Sequence, residues 1–356
     1  MAGLAAAARA RELGASPLVL EKGDRAGGSM LVSSCVIWRY RTFARFRGEC
    51  PGGDERLQRA VFERLDRALG WLESLGAPVV ARETGNPRTI GVRFDPRALT
   101  DALVEAAGGV RLSAPLTETA GSLILATGGF QGDAGLVARY IRPAAPLRLR
   151  ANRWSAGEGL RLGVARGAAL SAAMGEFYGR NMADVDFEER DFVRLAQLYG
   201  RYARVYNDLG ERFFSGRVSW SENDLVQATA RQPAARAWYV VDERALAKRV
   251  REGTVADAVG AAPTRIDPDD LPFPAPPGAV AAVRVRAAIT HTIGGLAVDD
   301  RARVLDTGGA PLPGLFAAGA DVGGISTGGY ASGLAAALVF GRIAAESAVS
   351  ALACTP

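Results

Sequence analysis

The feature that most constrains this chain lies near its C-terminal end, residues 290–346, THTIGGLAVDDRARVLDTGGAPLPGLFAAGADVGGISTGGYASGLAAALVFGRIAAE. It holds the single histidine of the sequence, His291, beside Gly294 and Gly295. A short apolar strand from Leu315 to Ala318 stops at Gly319, a glycine-rich turn runs from Gly323 to Gly329, and a helix is expected from Ser332. A strand that ends at glycine, lets backbone approach a ligand and then aims a helix N-terminus is suited to holding something flat and electron-rich. Val322 to Gly341 is uncharged for twenty residues, yet six glycines and a tyrosine interrupt it before any continuous apolar run. That pattern reads as a ligand loop followed by a buried helix, not as a membrane span.

The helix end points to a ligand. Ser332 is the expected N-cap, which leaves the backbone N–H groups of Gly333 and Leu334 free at the positive end of the helix dipole. A flavin gains negative charge on its pyrimidine edge when reduced, and such donors stabilise it by about 1 kcal/mol where partly buried. An ordinary helix start after a glycine loop accounts for the glycines alone equally well.

Charge excludes other classes. The net charge is +5, but the arginines are interleaved with acids, as in ARARELGASPLVLEKGDR, so no basic stripe for nucleic acid is present. Cys35, Cys50 and Cys354 form no CxxC pair, which fits a reducing, cytoplasmic setting, and one histidine with dispersed cysteines predicts no metal site. The N-terminus lacks the basic segment of a signal peptide.

At the N-terminal end, MAGLAAAARARELGA predicts a helix with small residues on one face, followed by a buried strand Leu18-Val19-Leu20 that ends in the acid Glu21. Gly3 and Glu21 stand at about the separation, near 20 residues, of the third glycine and the ribose-binding acid in a dinucleotide-binding βαβ unit. The strand and the two glycines that would come before Gly3 are absent, so a misplaced start or a truncated sequence is expected. Gly27-Gly28-Ser29 and Ser33-Ser34 are suited to hydrogen-bonding phosphate or flavin edges. An amphipathic helix is predicted from Asp54 to Leu75, with Leu57, Val61, Leu65, Leu69 and Leu72 inward, and another from Asp95-Pro96 to Gly108-Gly109. SLILATGGF, residues 122–130, predicts a buried strand entering a tight Thr127-Gly128-Gly129 turn. Residues 156–169 predict a glycine turn opening a short helix that closes at Gly167.

From about Gly175 to Pro277 glycine thins, aromatic and charged residues thicken, and the tract DPDDLPFPAPPG closes the region. This predicts an inserted α+β domain, with boundaries at 1–175, 176–283 and 284–356. Within it Tyr199, Tyr202 and Tyr206 have helical spacing, and Asn207 to Gly210 reads as a turn.

Seven segments in register, AGLAAA with Glu21, GGSMLVSSCVIW, ILATGGF, SAGEGLRLGVARGAAL, NDLGERFF, THTIGGLAVD and GLFAAGADVGGISTGGYASGLAAALVFGRIA, span nearly the whole chain. Together they resemble the FAD-dependent fumarate reductase, succinate dehydrogenase and 3-ketosteroid dehydrogenase superfamily. The resemblance implies an α/β fold: a Rossmann-like FAD-binding domain built from both chain ends, with an inserted capping domain. It implies FAD contacts at Gly3, Glu21, Gly28, Ser29, Ser34, Thr127, Gly128, Gly129, Gly157, Gly159, Gly319, Asp321, Ser332, Gly333 and Leu334. Within these, Glu21 is implied at the adenosine ribose, Gly128 and Gly129 at the adenosine part, Gly319 and Asp321 near the ribityl chain, and Gly333 and Leu334 at the flavin pyrimidine edge.

His291 occupies the HTxGG position that holds a substrate carboxylate in fumarate reductases; as an isolated histidine it reads equally as a core residue. Where those enzymes carry a substrate-clamping arginine this chain has Tyr330, similar to the steroid dehydrogenases, in which a tyrosine binds a ketone oxygen. Ser215 and Gly216 replace the acid that usually follows GERF, which disfavours a quinol-linked fumarate reductase. The expected activity is hydride transfer between flavin N5 and a carbon–carbon bond beside a carbonyl or carboxyl group of a small ketone, enone or carboxylate. His291 and Tyr330 are expected to polarise the substrate, with a proton from the inserted domain, where Tyr202 and Arg244 head a candidate set that includes Tyr199, Arg217 and Glu222. The electron donor or acceptor is unassigned. The alternative is a truncated or degenerate homologue that does not catalyse.

Overall fold

The computed structural model describes residues 1–117, 121–250 and 253–353. They group into two compact units. The first comprises Met1–Asp133, Asn152–Glu176 and His291–Pro356, and the second comprises Ala134–Ala151 and Phe177–Thr290. Residues 134–151 and 284–290 group with the second unit, whereas the sequence placed them in the flanking segments. The reason is pairing: the strand Arg148–Leu149 runs parallel to the long strand Ala281–Thr292, in register Ala288 with Arg148 and Ile289 with Leu149.

In the first unit, the strand Pro311–Ala317 lies parallel to Leu123–Leu125, with Leu315 against Leu123, Phe316 against Ile124 and Ala317 against Leu125. The helix Gly333–Ala353 packs over them and buries Leu338, Val339, Phe340, Ile343 and Ala344. Among the described residues it is the one helix long and apolar enough to cross a membrane, and more than half of that apolar window is covered by this unit. The N-terminal helix Ala2–Glu12 lies against it, and a Cβ at Gly341 would stand 2.5 Å from the Ala2 carbonyl oxygen. That approach is available only to a residue without a side chain.

Local rules account for the other helices. Asp54 caps Glu55–Ser74 by accepting from Arg56 N–H at 2.8 Å, and all five expected core positions, Leu57, Val61, Leu65, Leu69 and Leu72, are buried. Asp95 caps Pro96–Ala107, which ends at Gly108 with φ 79°. Gly157, φ 84°, opens the helix Glu158–Ala165.

Two expectations fail. Leu18–Leu20 forms no buried strand: Leu20 makes a single parallel bridge to Arg111, and Leu18 is exposed. Among the described residues no strand pairs with its other side, and Val19 and Leu20 reach only partial burial. The three tyrosines do not share a helix face either. Gly200–Tyr202 is one short turn and Arg204–Tyr206 a strand, because Arg204 and Tyr206 pair with Val240 and Trp238 across an antiparallel ladder. The Asn207 to Gly210 turn is present, closed by Gly210 N–H on the Asn207 carbonyl at 3.1 Å.

The second unit is built on a six-stranded sheet around Ala281–Thr292, which pairs antiparallel with Arg236–Val241. One face carries a core of Tyr199, Leu225, Tyr239, Val241, Val255, Val283 and Val285.

Candidate active site

Parallel pairing of Leu123–Leu125 with Leu315–Ala317 brings the turns after both strands to the same end of the sheet. There Asp321, 2% exposed, accepts hydrogen bonds from the Thr127 hydroxyl at 2.9 Å, from the Thr127 N–H, and from the Gly129 N–H at 3.4 Å. Burial outweighs these donors and lifts its carboxyl above the ordinary range. The Thr127 hydroxyl oxygen also receives the Gly159 N–H at 3.1 Å, and the Gly157 N–H bonds the Gly129 carbonyl at 3.0 Å. Three segments far apart in sequence thus meet on backbone groups, and the structure brings Thr127, Gly128, Gly129, Gly157, Gly159, Gly319 and Asp321 together.

Two members of this cluster were not singled out in the sequence. The Gln131 Oε1 and Thr292 Oγ1 atoms are buried without a hydrogen-bond partner, and a Cβ at Gly129 would lie 2.8 and 2.7 Å from them. Thr292 sits within HTxGG and Gln131 just after ATGGF, but neither position announces itself without the fold. Buried polar atoms left unmet beside a backbone-only turn mark a place where a polar ligand is expected.

Among the residues the resemblance implies for the nucleotide, the Glu21 carboxylate accepts the Gly23 N–H at 2.7 Å. Gly28, φ 55°, starts a short turn, and the Ser29 hydroxyl oxygen accepts the Asn152 N–H at 3.1 Å, whereas Ser34 is exposed. Gly3 lies on the N-terminal helix, where a Cβ would stand 3.4 Å from the Ala126 Cβ.

The helix Gly333–Ala353 opens at an aromatic wall. Ser332 is its N-cap, accepting from Ala335 N–H at 3.3 Å, so Gly333 and Leu334 present the first backbone donors of the helix. A Cβ on Gly333 would stand 3.0 Å from His291 Cε1, which places the imidazole directly over that helix end. The Tyr330 ring lies 6.1 Å from the His291 ring and 5.8 Å from that of Trp38, which meets Tyr40 edge-on at 5.2 Å. The Tyr40 hydroxyl donates to the Tyr330 carbonyl at 2.7 Å, and the Tyr330 N–H is directed at the Cys50 sulfur. Burial pushes the Cys50 thiol up to about 12 and pulls His291 down to about 4, so the imidazole is neutral at pH 7. Trp38, Tyr40 and Cys50 were also missed in the sequence. Trp38 ends a quoted motif, but only the strand Val36–Tyr40 aims it at Tyr330.

The remaining candidates belong to the second unit. Tyr202 and Arg244 are exposed. Glu222 is 4% exposed, its carboxylate accepting from Gly200 N–H and Arg201 Nε, each at 3.2 Å, and burial raises its carboxyl. Among the described residues no cluster of three or more His, Cys, Asp or Glu side chains suits a metal.

A family model described as an FAD binding domain matches residues 92–334, more than half of the chain. The chain belongs to the FAD-binding domain family. It is 26% identical to the NADH:fumarate oxidoreductase of Klebsiella pneumoniae (strain 342), covering 98% of this chain and 46% of that protein. It is 24% identical to a probable fumarate reductase of Shewanella frigidimarina, covering 98% of this chain and 73% of that one. The chain therefore spans less than half the length of the first of these relatives. Its fold matches a flavocytochrome c3 fumarate reductase in the open conformation, with TM-score 0.72 and 21% identity over 98% of this chain and 76% of that one. It also matches the 3-ketosteroid-delta4-(5alpha)-dehydrogenase of Rhodococcus jostii RHA1, with TM-score 0.71 and 19% identity over 98% and 94%.

The residues fit the cofactor that names the family. FAD needs close backbone approach, hydrogen-bond groups without a partner, and donors where reduction places charge. Those are the Gly128-Gly129 turn, the unmet Gln131 and Thr292 atoms, and the helix start at Gly333 and Leu334.

Proposed function

We propose that this FAD-binding chain is the core of an oxidoreductase that moves a hydride between the flavin and a carbon–carbon bond next to the carbonyl of a neutral ketone or enone. The observation that carries this reading is the pairing of a neutral, half-buried His291 with Tyr330 beside the N-terminus of the helix Gly333–Ala353. Bound FAD supplies the hydride chemistry at flavin N5. Tyr330 and His291 hydrogen-bond the substrate oxygen, which draws electron density from the adjacent carbons and acidifies the neighbouring C–H. The donors of Gly333 and Leu334 hold negative charge without a counter-ion.

Charge supports a carbonyl over a carboxylate. An imidazole held neutral offers a hydrogen bond but no cation, and tyrosine cannot form the bidentate clamp that arginine makes with a carboxylate. Trp38, Tyr40 and Tyr330 add an aromatic surface for an apolar substrate body. A dicarboxylate substrate is the second reading, favoured by the HTxGG sequence and by the names of the relatives in Klebsiella and Shewanella.

Anaerobic mixing of chemically reduced, FAD-loaded protein with 4-androstene-3,17-dione, with a cyclic enone and with fumarate separates the two. Reoxidation by either carbonyl compound and not by fumarate is expected. Reoxidation by fumarate alone overturns the carbonyl reading, and protein that neither copurifies with flavin nor takes it up is a non-catalytic homologue.

A further inference from the structure

The second unit carries a concentration of arginines that the redox reading does not use. In the antiparallel pair between Arg236–Val241 and Ala281–Thr292, Arg286 stands directly opposite Arg236, and Arg284 opposite Trp238. Arg148 is in register with Ala288 on the other side of the same strand. Because side chains alternate across a sheet, Arg148, Arg236, Arg284 and Arg286 share one face. All four are half-buried.

Two carboxylates answer them. Asp184, whose side chain is 3% exposed, faces Arg236 Nε at 2.8 Å and Arg284 Nε at 3.0 Å. Asp186 pairs with Arg148 at 2.7 Å. Four guanidinium groups against two carboxylates leave a surplus of two positive charges in this cluster. The Nε groups of all four arginines, and the Asp184 Oδ2 that Arg236 and Arg284 face, are buried without a well-formed hydrogen bond, and Arg286 bonds through Nη2 to the Pro146 carbonyl at 3.2 Å. Like charges set directly opposite on neighbouring strands repel, and unmet buried guanidinium donors cost further free energy. Burial first, and then Arg148, push the Arg286 guanidinium below its ordinary range.

We propose that Arg148, Arg236, Arg284 and Arg286 form a binding site for a phosphate-class dianion. Two negative charges match the surplus, and tetrahedral phosphate oxygens accept from the planar forks that arginine presents. The buried Asp184 answers Arg236 and Arg284 as an ion pair, which leaves Arg286 with no carboxylate of its own and four unmet Nε donors to be satisfied by the ligand. This site is independent of the hydride chemistry proposed above.

The test uses FAD-saturated protein, so that the cofactor's own phosphates are already bound. Inorganic phosphate and, separately, ADP are titrated by calorimetry and by thermal unfolding against sodium chloride at equal ionic strength. Phosphate is expected to bind and to raise the unfolding midpoint. Arg286→Gln should weaken that binding about tenfold, the loss of one charge-assisted hydrogen bond, while Arg265→Gln on the exposed edge strand leaves it unchanged. Without phosphate, Arg286→Gln should unfold at or above the wild-type midpoint, because it relieves repulsion. ADP binding more tightly than inorganic phosphate identifies a nucleotide as the source of the group, and equal affinities identify free phosphate. No binding of either by the wild-type protein, or a lowered midpoint in phosphate-free Arg286→Gln, overturns the proposal and makes the cluster a structural ion network.

Discussion

The Tyr40 hydroxyl donates to the backbone carbonyl of Tyr330 at 2.7 Å, so a tyrosine on a strand near the N-terminal end fixes the main chain of a tyrosine almost three hundred residues later. The same strand places the Trp38 ring against Tyr330 and its N–H on the Ser332 hydroxyl at 3.5 Å. The turn that carries Tyr330 is therefore held from outside its own sequence. Tyr40→Phe removes the one bond and keeps the ring. It should lower stability by about 1 to 3 kcal/mol, since the carbonyl loses a part-buried donor. It should lower kcat more than it raises KM, measured beside the denaturation midpoint, because the Tyr330 hydroxyl loses its setting.

If His291 and Tyr330 polarise the substrate as proposed, removing them should act on chemistry. Tyr330→Phe and His291→Ala are each expected to lower turnover by about tenfold to thousandfold while the flavin absorbance of the purified protein stays as in wild type. Unchanged turnover in both variants takes them out of the mechanism.

The half-buried imidazole makes a pH prediction with a definite sign. His291 is pulled down from 6.5 to about 4 in the folded protein, so the unfolded chain binds a proton that the folded one refuses. Its contribution to stability is complete above pH 6.5 and is lost as the pH falls toward 4. Denaturation midpoints measured from pH 7 to 4.5 should decline, and His291→Gln should flatten that decline.

Gly295→Ala probes the turn that carries the histidine. A Cβ there would lie 2.7 Å from the Asp321 carbonyl oxygen and 2.9 Å from the Gly323 nitrogen, both main-chain atoms that cannot swing aside. A loss of about 2 kcal/mol or more in unfolding free energy is expected, with weaker flavin retention, because the displaced segment carries Asp321 and its bonds to Thr127 and Gly129.

Cys35 and Cys50 are both buried, and burial pushes each thiol up to about 12. In a Cys354→Ser background the folded protein should resist iodoacetamide at pH 8 and take up two labels after unfolding, counted by mass.

What the sequence alone determined is what local rules govern. Asp54 and Asp95 begin helices, Gly108 and Gly167 end them, the leucines from Leu57 to Leu72 face inward, and Ser332 caps the last helix, each through interactions within a few residues. The motifs from ILATGGF to HTIGG were legible for the same reason, since a turn built on glycine shows its need for backbone freedom in its own residues. Only the tertiary structure could decide the rest. Leu18–Leu20 is a run of three apolar residues like a core strand, yet pairing on one side leaves it short of full burial. The tyrosine spacing from 199 to 206 suits a helix, yet the ladder to Arg236–Val241 makes it turn and strand. Trp38, Tyr40, Cys50, Gln131 and Thr292 join the candidate site only because strand pairing brings distant main chain beside them, and neither the neutrality of His291 nor the crowding of Arg236 and Arg286 exists until burial and register have been set.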